Sequence, residues 1–307
     1  MFKAFIEKKY LFLIMNKLVF ATAFAFMFSS CDQKKNTSNS CIQNKNTETL
    51  VLDGSVREYV LYVPNSYDDS MNVPVLFNFH GFGDTSENYM NYSDMRALSE
   101  SETFILVYPQ GSCLDGSSHW NPCPTSVDNK STADDLGFFQ AMINELSSQY
   151  NVDMERIYAA GYSNGGMMAY GLANHKSEVI AAVASVSGVM LDCIGPTSHS
   201  MPVVHLHGTS DSVLPYNGSS DWSSVQTTLN HWINFNNIIT TPTLSSDTSG
   251  AMTIEHYIYN QLDSSVSIEH YKYIGGDHVW FSETYEGQST SEIVWNFVSR
   301  YDINGLR

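Results

Sequence analysis

Basic residues are the first shortage. The 307-residue chain carries 15 Lys and Arg against 32 Asp and Glu, a net charge of −17. A surface of that sign repels phosphate backbones, which excludes nucleic acid as a partner and disfavours large anionic substrates. Cysteine is sparse, with five in all, and no C-x-x-C or H-x-x-x-H spacing is present to hold zinc. Long apolar runs are missing too. The one candidate, Leu11–Phe28, is interrupted by Asn16 and Lys17 and is too short to span a bilayer. No internal repeat is visible. Hydrophobic residues nonetheless make up 43% and charged residues 15%, so a folded core is expected and wholesale disorder is excluded.

What the N-terminus does contain reads as an export signal over residues 1–30, with Met15 as a possible start. Lys17 is a short positive region, Leu18–Phe28 an apolar one, and Ser29-Ser30-Cys31 closes it. Small residues before Cys31 resemble a bacterial lipoprotein processing site, with Cys31 carrying the lipid; an ordinary secretory signal is the other reading. Membrane association is then expected only through that lipid. Residues 31–49 are polar and read as a solvated tether, leaving 50–307 as one catalytic domain. An oxidising compartment turns the other four cysteines into candidates for disulfides. Cys113 and Cys123 flank a loop of nine residues and are the preferred pair, with Cys41 and Cys193 joined by elimination.

From Val56 onward, β-branched and aromatic runs alternate with helical periodicities. Strands are expected at Val56–Val63, Val73–Phe79, Thr103–Tyr108, Arg156–Ala160, Val179–Ser187, Pro202–Leu206, Ile254–Asn260 and Val266–Tyr273. Helices are expected at Asp135–Tyr150, Asn164–His175, Ser223–Asn236 and Ser291–Tyr301. Asp134 and Asp135 read as residues satisfying free N–H groups at a helix start. This alternation implies an α/β fold, a mostly parallel sheet with helices on both faces.

The chemistry starts at Gly161-Tyr162-Ser163-Asn164-Gly165. Gly-x-Ser-x-Gly between a strand and a helix is the arrangement of a nucleophile elbow, whose turn is too tight for side chains at the flanking positions. Two later segments complete a set. The strand Pro202–Leu206 runs into His207-Gly208-Thr209-Ser210-Asp211, and Gly275-Gly276-Asp277-His278 follows the last strand. Ser163, Asp211 and His278 stand in the Ser…Asp…His order of α/β-hydrolases. His278 would act as general base and Asp211 would orient it. Asp277 adjoins His278 too closely in sequence for that role, and Asp221 and Asp263 read as solvated loop carboxylates. His205 and His207 alternate on a strand as satisfied core histidines. The turn His80-Gly81-Phe82-Gly83 fits the loop that supplies an oxyanion donor, so Phe82 and Asn164 are the expected backbone N–H groups, with His80 structural.

Asp134-Asp135-Leu136-Gly137-Phe138-Phe139, Arg156 to Met168, Tyr108-Pro109-Gln110-Gly111, Trp120-Asn121 and His207-Gly208-Thr209 together resemble the secreted poly(3-hydroxybutyrate) depolymerase and feruloyl esterase family. The resemblance runs from about Ser55 to Tyr301. It implies an α/β-hydrolase fold and hydrolysis of carboxylic esters (feruloyl, acetyl or hydroxyalkanoate) without metal or organic cofactor. Asp277 departs from the small or neutral residue common there. Trp120, Tyr162 and Trp280 are the candidate substrate contacts, Trp120 above all because it lies beside the expected Cys113–Cys123 bridge; Phe82 and Phe281 are also near. Aromatics of this kind can equally pack the core. A serine peptidase and a non-catalytic binding protein are the competing classes.

Overall fold

A computed structural model describes Cys41 and residues 47–124, 129–239, 241–263 and 265–307. The expected signal segment, Cys31 and most of the tether lie outside the described residues. The described residues form one compact unit.

The strands are β1 (Glu48–Leu52), β2 (Ser55–Tyr62), β3 (Val73–Phe79), β4 (Ile105–Pro109), β5 (Ser112–Leu114), β6 (Ser117–His119), β7 (Val152–Tyr162), β8 (Ile180–Val186), β9 (Val203–Gly208), β10 (Thr243–Ser249), β11 (Met252–Asn260), β12 (Ser267–Ile274), β13 (Tyr301–Asp302) and β14 (Gly305–Leu306). Ten of them form one sheet in the order β1-β2-β4-β3-β7-β8-β9-β12-β11-β10. The six strands from β4 to β12 in that order pair in parallel, and β1, β2, β10 and β11 add antiparallel edges. Apolar runs such as Val73–Phe79 and Ile180–Val186 are buried along their whole length, as a parallel strand covered on both faces requires.

Side chains alternate between two cores with the two-residue period of a strand. Val75, Phe77, Ile157 and Ala159 face one, while Leu76, Tyr158 and Ala160 face the other. The helix Asp135–Gln149 covers the first core through Leu136, Phe138, Phe139, Met142 and Ile143. The helix Thr290–Val298 covers the second through Ile293, Val294, Trp295 and Phe297, and opens with a capping box of Ser289 and Glu292. Asp134 caps its helix as expected, accepting the Gly137 N–H at 2.8 Å. Asp135 does something else: it is buried and paired with Arg57 of β2 at 2.6 Å.

Several elements escape a periodicity reading. The edge strand β10 is Thr-Leu-Ser-Ser-Asp-Thr-Ser, mostly exposed, and is held by the ladder to β11 rather than by apolar side chains. β1 begins inside the stretch that reads as tether. Two seven-residue helices, Ser86–Tyr92 and Arg96–Glu102, lie between β3 and β4.

The disulfides correct the expected pairing. Cys41 is bonded to Cys113, and Cys123 to Cys193, with Cα atoms 5.6 and 5.7 Å apart. The loop after β6 runs away from β5 because Trp120 is buried and the Asn121 N–H donates to Asp135 Oδ2 at 2.7 Å. That pulls Cys123 toward the segment after β8 and leaves Cys113 to the N-terminal segment. Among the described residues no helix is long and apolar enough to cross a membrane, and no cluster of three or more His, Cys, Asp or Glu could hold a metal ion.

Candidate active site

The site is built where β7, β9 and β12 end at the same edge of the sheet. Ser163 closes β7 and caps the helix Asn164–His175, here the elbow helix, with φ 55° and ψ −118°. A non-glycine residue in that region is strained. Sterics around it explain the flanking glycines. A Cβ on Gly165 would lie 1.9 Å from the Phe79 carbonyl oxygen, and one on Gly161 would lie 2.3 Å from the backbone of Gly165. β3, β7 and the elbow helix approach so closely that only hydrogen fits at either position.

The structure brings Ser163, His278 and Asp211 into one hydrogen-bonded line. Ser163 Oγ lies 2.8 Å from His278 Nε2, and His278 Nδ1 lies 2.7 Å from Asp211 Oδ2. Asp211 is buried. Its Oδ1 accepts the backbone N–H groups of Val213 at 2.9 Å and Leu214 at 2.7 Å. Burial pushes its pKa up, but hydrogen bonds from His207 and His278, with Leu214 adding to them, outweigh that and hold it well below the usual carboxylate range. It is therefore ionised wherever His278 can act as a base.

The rival carboxylates are placed elsewhere. Asp263 caps its own turn through Ser265, and Asp221 is exposed. Asp277 is exposed, and its Oδ1 accepts the N–H and O–H of Ser212 and the N–H of His278. It pins the loop of His278 to the loop of Asp211.

The turn Gly81-Phe82-Gly83 faces Ser163: a Cβ on Gly81 would lie 3.5 Å from the Ser163 Cβ. Asn164 opens the elbow helix, so its N–H is one of those without an intrahelical acceptor. His80 braces the turn from beneath. It accepts the Gly111 N–H on Nε2 at 2.9 Å and donates from Nδ1 to the Gly81 carbonyl at 2.6 Å. Burial pushes its pKa down to about 4, which keeps it neutral.

Two of the expected substrate contacts belong to the scaffold. Trp120 is fully buried; its indole N–H donates to the His80 carbonyl at 2.9 Å, and its backbone N–H to Asn164 Oδ1 at 2.8 Å. It supports the turn Gly81-Phe82-Gly83 and the start of the elbow helix rather than walling a pocket. Trp280 is 8% exposed and packs edge-on against Tyr89, and Phe281 stacks on Tyr273. Tyr162 is half-buried, donates its hydroxyl to the His278 carbonyl at 2.8 Å, and sets its ring 5.1 Å from the imidazole. Phe82, at 49% exposure, stands open beside the site. Sequence reasoning missed an apolar group of Met167, Val189 and Leu214 with the half-buried Leu191 and Trp222 packed on it. Met167 is one turn past Ser163 and Leu214 three residues past Asp211, and that proximity to the motifs was the available signal.

A profile of the family "esterase PHB depolymerase" matches residues 57–227. The chain belongs to that family. A bifunctional acetylxylan esterase/xylanase of Neocallimastix patriciarum is 27% identical over 259 residues, which cover 82% of this chain and 34% of that protein. Feruloyl esterase B of Piromyces equi is 28% identical over 167 residues, covering 53% of this chain and 30% of that one. The chain thus spans about a third of the length of these two curated relatives. Among solved structures, the acetyl xylan esterase from Aspergillus awamori superposes with a TM-score of 0.61 at 18% identity, over 79% of this chain and 94% of that chain. An S-formylglutathione hydrolase from Agrobacterium tumefaciens gives 0.56 at 12% identity, over 83% and 94%. These similarities establish an α/β-hydrolase fold in a single domain.

Proposed function

We propose that this family member is a serine carboxylic-ester hydrolase working through an acyl-enzyme on feruloyl, acetyl or hydroxyalkanoate esters, with Ser163 as nucleophile, His278 as general base and Asp211 as the acid that orients it. The observation that carries the reading is the line Ser163–His278–Asp211, with bonds of 2.8 and 2.7 Å. His278 Nε2 takes the Ser163 proton as Oγ attacks the ester carbonyl, then returns it to the departing alcohol. Water repeats the sequence on the acyl-enzyme and releases the acid. The N–H groups of Phe82 and Asn164 are assigned to the oxyanion of both tetrahedral intermediates.

Relatives named as acetylxylan and feruloyl esterases support acyl groups of that type. The apolar group around Met167 and Leu214, together with the exposed Phe82, supports a small or aromatic acyl or alcohol part rather than a charged one. Two disulfides suit an oxidising compartment, and we assign export by the N-terminal signal, with a lipid on Cys31.

The test is a panel on the full chain of p-nitrophenyl acetate, methyl ferulate, acetylated xylan, hydroxybutyrate oligomers and a chromogenic peptide. Ester turnover that falls by roughly 10⁵–10⁶ in Ser163→Ala is expected, because a triad acts as a unit. Peptide cleavage without ester cleavage, or an active Ser163→Ala, refutes the proposal.

A further inference from the structure

The buried histidines of β9 are left unused by this mechanism, and they do not sit apart from it. His205 and His207 point to the same side of a fully buried strand and their rings stack 5.2 Å apart. His207 Nε2 lies 2.9 Å from the Leu214 carbonyl and 3.1 Å from Asp211 Oδ2. Both partners only accept, so this nitrogen carries a hydrogen. With one hydrogen on the ring, His207 Nδ1 is an acceptor and meets His205 Nε2 at 3.2 Å. His205 Nδ1 then accepts the hydroxyl of Tyr170 at 2.7 Å. Tyr170 lies on the elbow helix, two turns past Ser163. The bonds therefore run from the elbow helix through two imidazoles to Asp211, and from Asp211 through His278 back to the start of the same helix.

We propose that Tyr170, His205 and His207 form a polarised relay that donates a second N–H to the triad acid, making His207 a positioning residue for Asp211 and so for His278. This rests on the triad reading above. Asp211 Oδ2 is shared between two N–H donors, His278 Nδ1 and His207 Nε2. The second donor fixes the carboxylate in the plane that His278 needs. It also takes up part of the negative charge, which limits how strongly Asp211 stabilises the imidazolium and so keeps His278 available as a base. The cost is two imidazoles in a sheet interior where Val or Leu would pack. Every ring nitrogen in the relay has a partner, as buried polar groups require.

Other groups that could titrate nearby are satisfied separately. His270 on β12 donates from Nδ1 to the His205 carbonyl at 2.9 Å and accepts the Tyr216 hydroxyl on Nε2 at 2.8 Å. Burial pushes its pKa down to about 3. Asp277 accepts from Ser212 and from the His278 backbone N–H. Tyr162 donates to the His278 carbonyl rather than to its ring.

The test follows the low-field proton NMR signal of the His278 Nδ1–H in the full chain as a function of pH, alongside kcat/KM on p-nitrophenyl acetate. His207→Phe removes the donor while keeping a ring in the cavity. The apparent pKa of His278 and the acid limb of kcat/KM should both rise by roughly half a unit to one unit, and kcat should fall roughly ten- to a hundredfold, the effect of one hydrogen bond to a charged group. His207→Gln presents an amide N–H at the place of Nε2 and should restore the wild-type titration. Tyr170→Phe deletes one oxygen, and it should shift the titration in the same direction by less. A His207→Phe protein that titrates like wild type overturns the relay, and so does a His207→Gln that shifts as far. If His207→Phe fails to fold, an unshifted Tyr170→Phe overturns it instead. A chain that hydrolyses no ester while the signal still moves refutes the proposed function and leaves the relay standing.

Discussion

Asp211→Asn is the sharpest single perturbation of this site, because all four neighbours of the carboxylate are donors. Oδ1 accepts two backbone N–H groups, from Val213 and Leu214, and Oδ2 accepts from the imidazoles of His278 and His207. An amide has one oxygen and one NH₂, so one pair of donors must face a donor. The backbone pair cannot change, and His207 keeps its hydrogen on Nε2 for the Leu214 carbonyl; His278 alone can move its hydrogen to the other nitrogen. The amide oxygen should therefore stay on Val213 and Leu214, with the NH₂ turned to the rings. His278 then carries its hydrogen on Nε2, facing Ser163 Oγ, and can no longer take the serine proton. The expected loss in kcat is roughly 10⁴-fold, the scale of the same change in a comparable triad, while KM and the folded spectrum hardly move. Asp277→Asn provides the contrast. Its Oδ1 accepts from Ser212 and the His278 backbone, which an amide oxygen can also do, so kcat should stay within a few-fold of wild type. Both variants are compared on p-nitrophenyl acetate. If Asp211→Asn retains a tenth of wild-type kcat, or Asp277→Asn abolishes turnover, the acid has been misassigned.

Three further outcomes follow from the packing. Gly165→Ala should inactivate the enzyme while leaving it largely folded: a methyl 1.9 Å from the Phe79 carbonyl costs about 1–3 kcal/mol of overpacking, and a nucleophile displaced by about 1 Å loses roughly 100-fold; circular dichroism with kcat decides, and an active variant refutes it. Non-reduced peptide mapping should find Cys41 with Cys113 and Cys123 with Cys193. Cys123→Ser should cost about 4 kcal/mol for a separation of 70 residues, and a Cys113–Cys123 peptide would contradict the fold. Glu269 is buried between His256 and Arg300; burial raises its pKa, but those partners hold it below the ordinary glutamate value. Its stabilising contribution is thus present above the unfolded pKa of about 4.3 and lost as pH falls through the lower folded value. Glu269→Gln should accordingly lower Tm more at pH 6 than at pH 3, and an equal loss at both would count against an ionised Glu269.

The juxtaposition of Ser163, Asp211 and His278 was legible in the sequence because each part of it is local. A strand too close to a helix demands glycine at 161 and 165, and the segments that carry Asp211 and His278 each follow an apolar strand within a few residues. Fold class was legible for a related reason, since strands buried on both faces, such as Val73–Phe79 and Ile180–Val186, are mostly apolar along their whole length. Chain separation hid the disulfides. Cys113 and Cys123 are nearest in sequence, but the register of a three-residue hairpin and the pull of Asp135 on the Asn121 N–H send them to opposite partners. β10 was hidden because its stability comes from a backbone ladder that leaves no mark on side-chain polarity.

Trp120 shows most clearly what a motif reading leaves out. An aromatic in a Gly/Ser/Pro loop beside an expected disulfide reads as an exposed wall of a pocket, and here it is a brace. Its two N–H groups hold the His80 carbonyl and the Asn164 side chain, one on the turn that carries Phe82 and the other on the helix that carries Ser163. The two backbone donors assigned to the oxyanion belong to segments more than 80 residues apart, Phe82 and Asn164, and preorganised donors work only if their spacing is fixed before the charge develops. A buried tryptophan bonded to one segment through its indole and to the other through its backbone N–H fixes it. Loop, disulfide and tryptophan are then one device: Cys123–Cys193 anchors the loop three residues past Trp120, and the buried residues of that packing set the spacing of the exposed turn and the elbow.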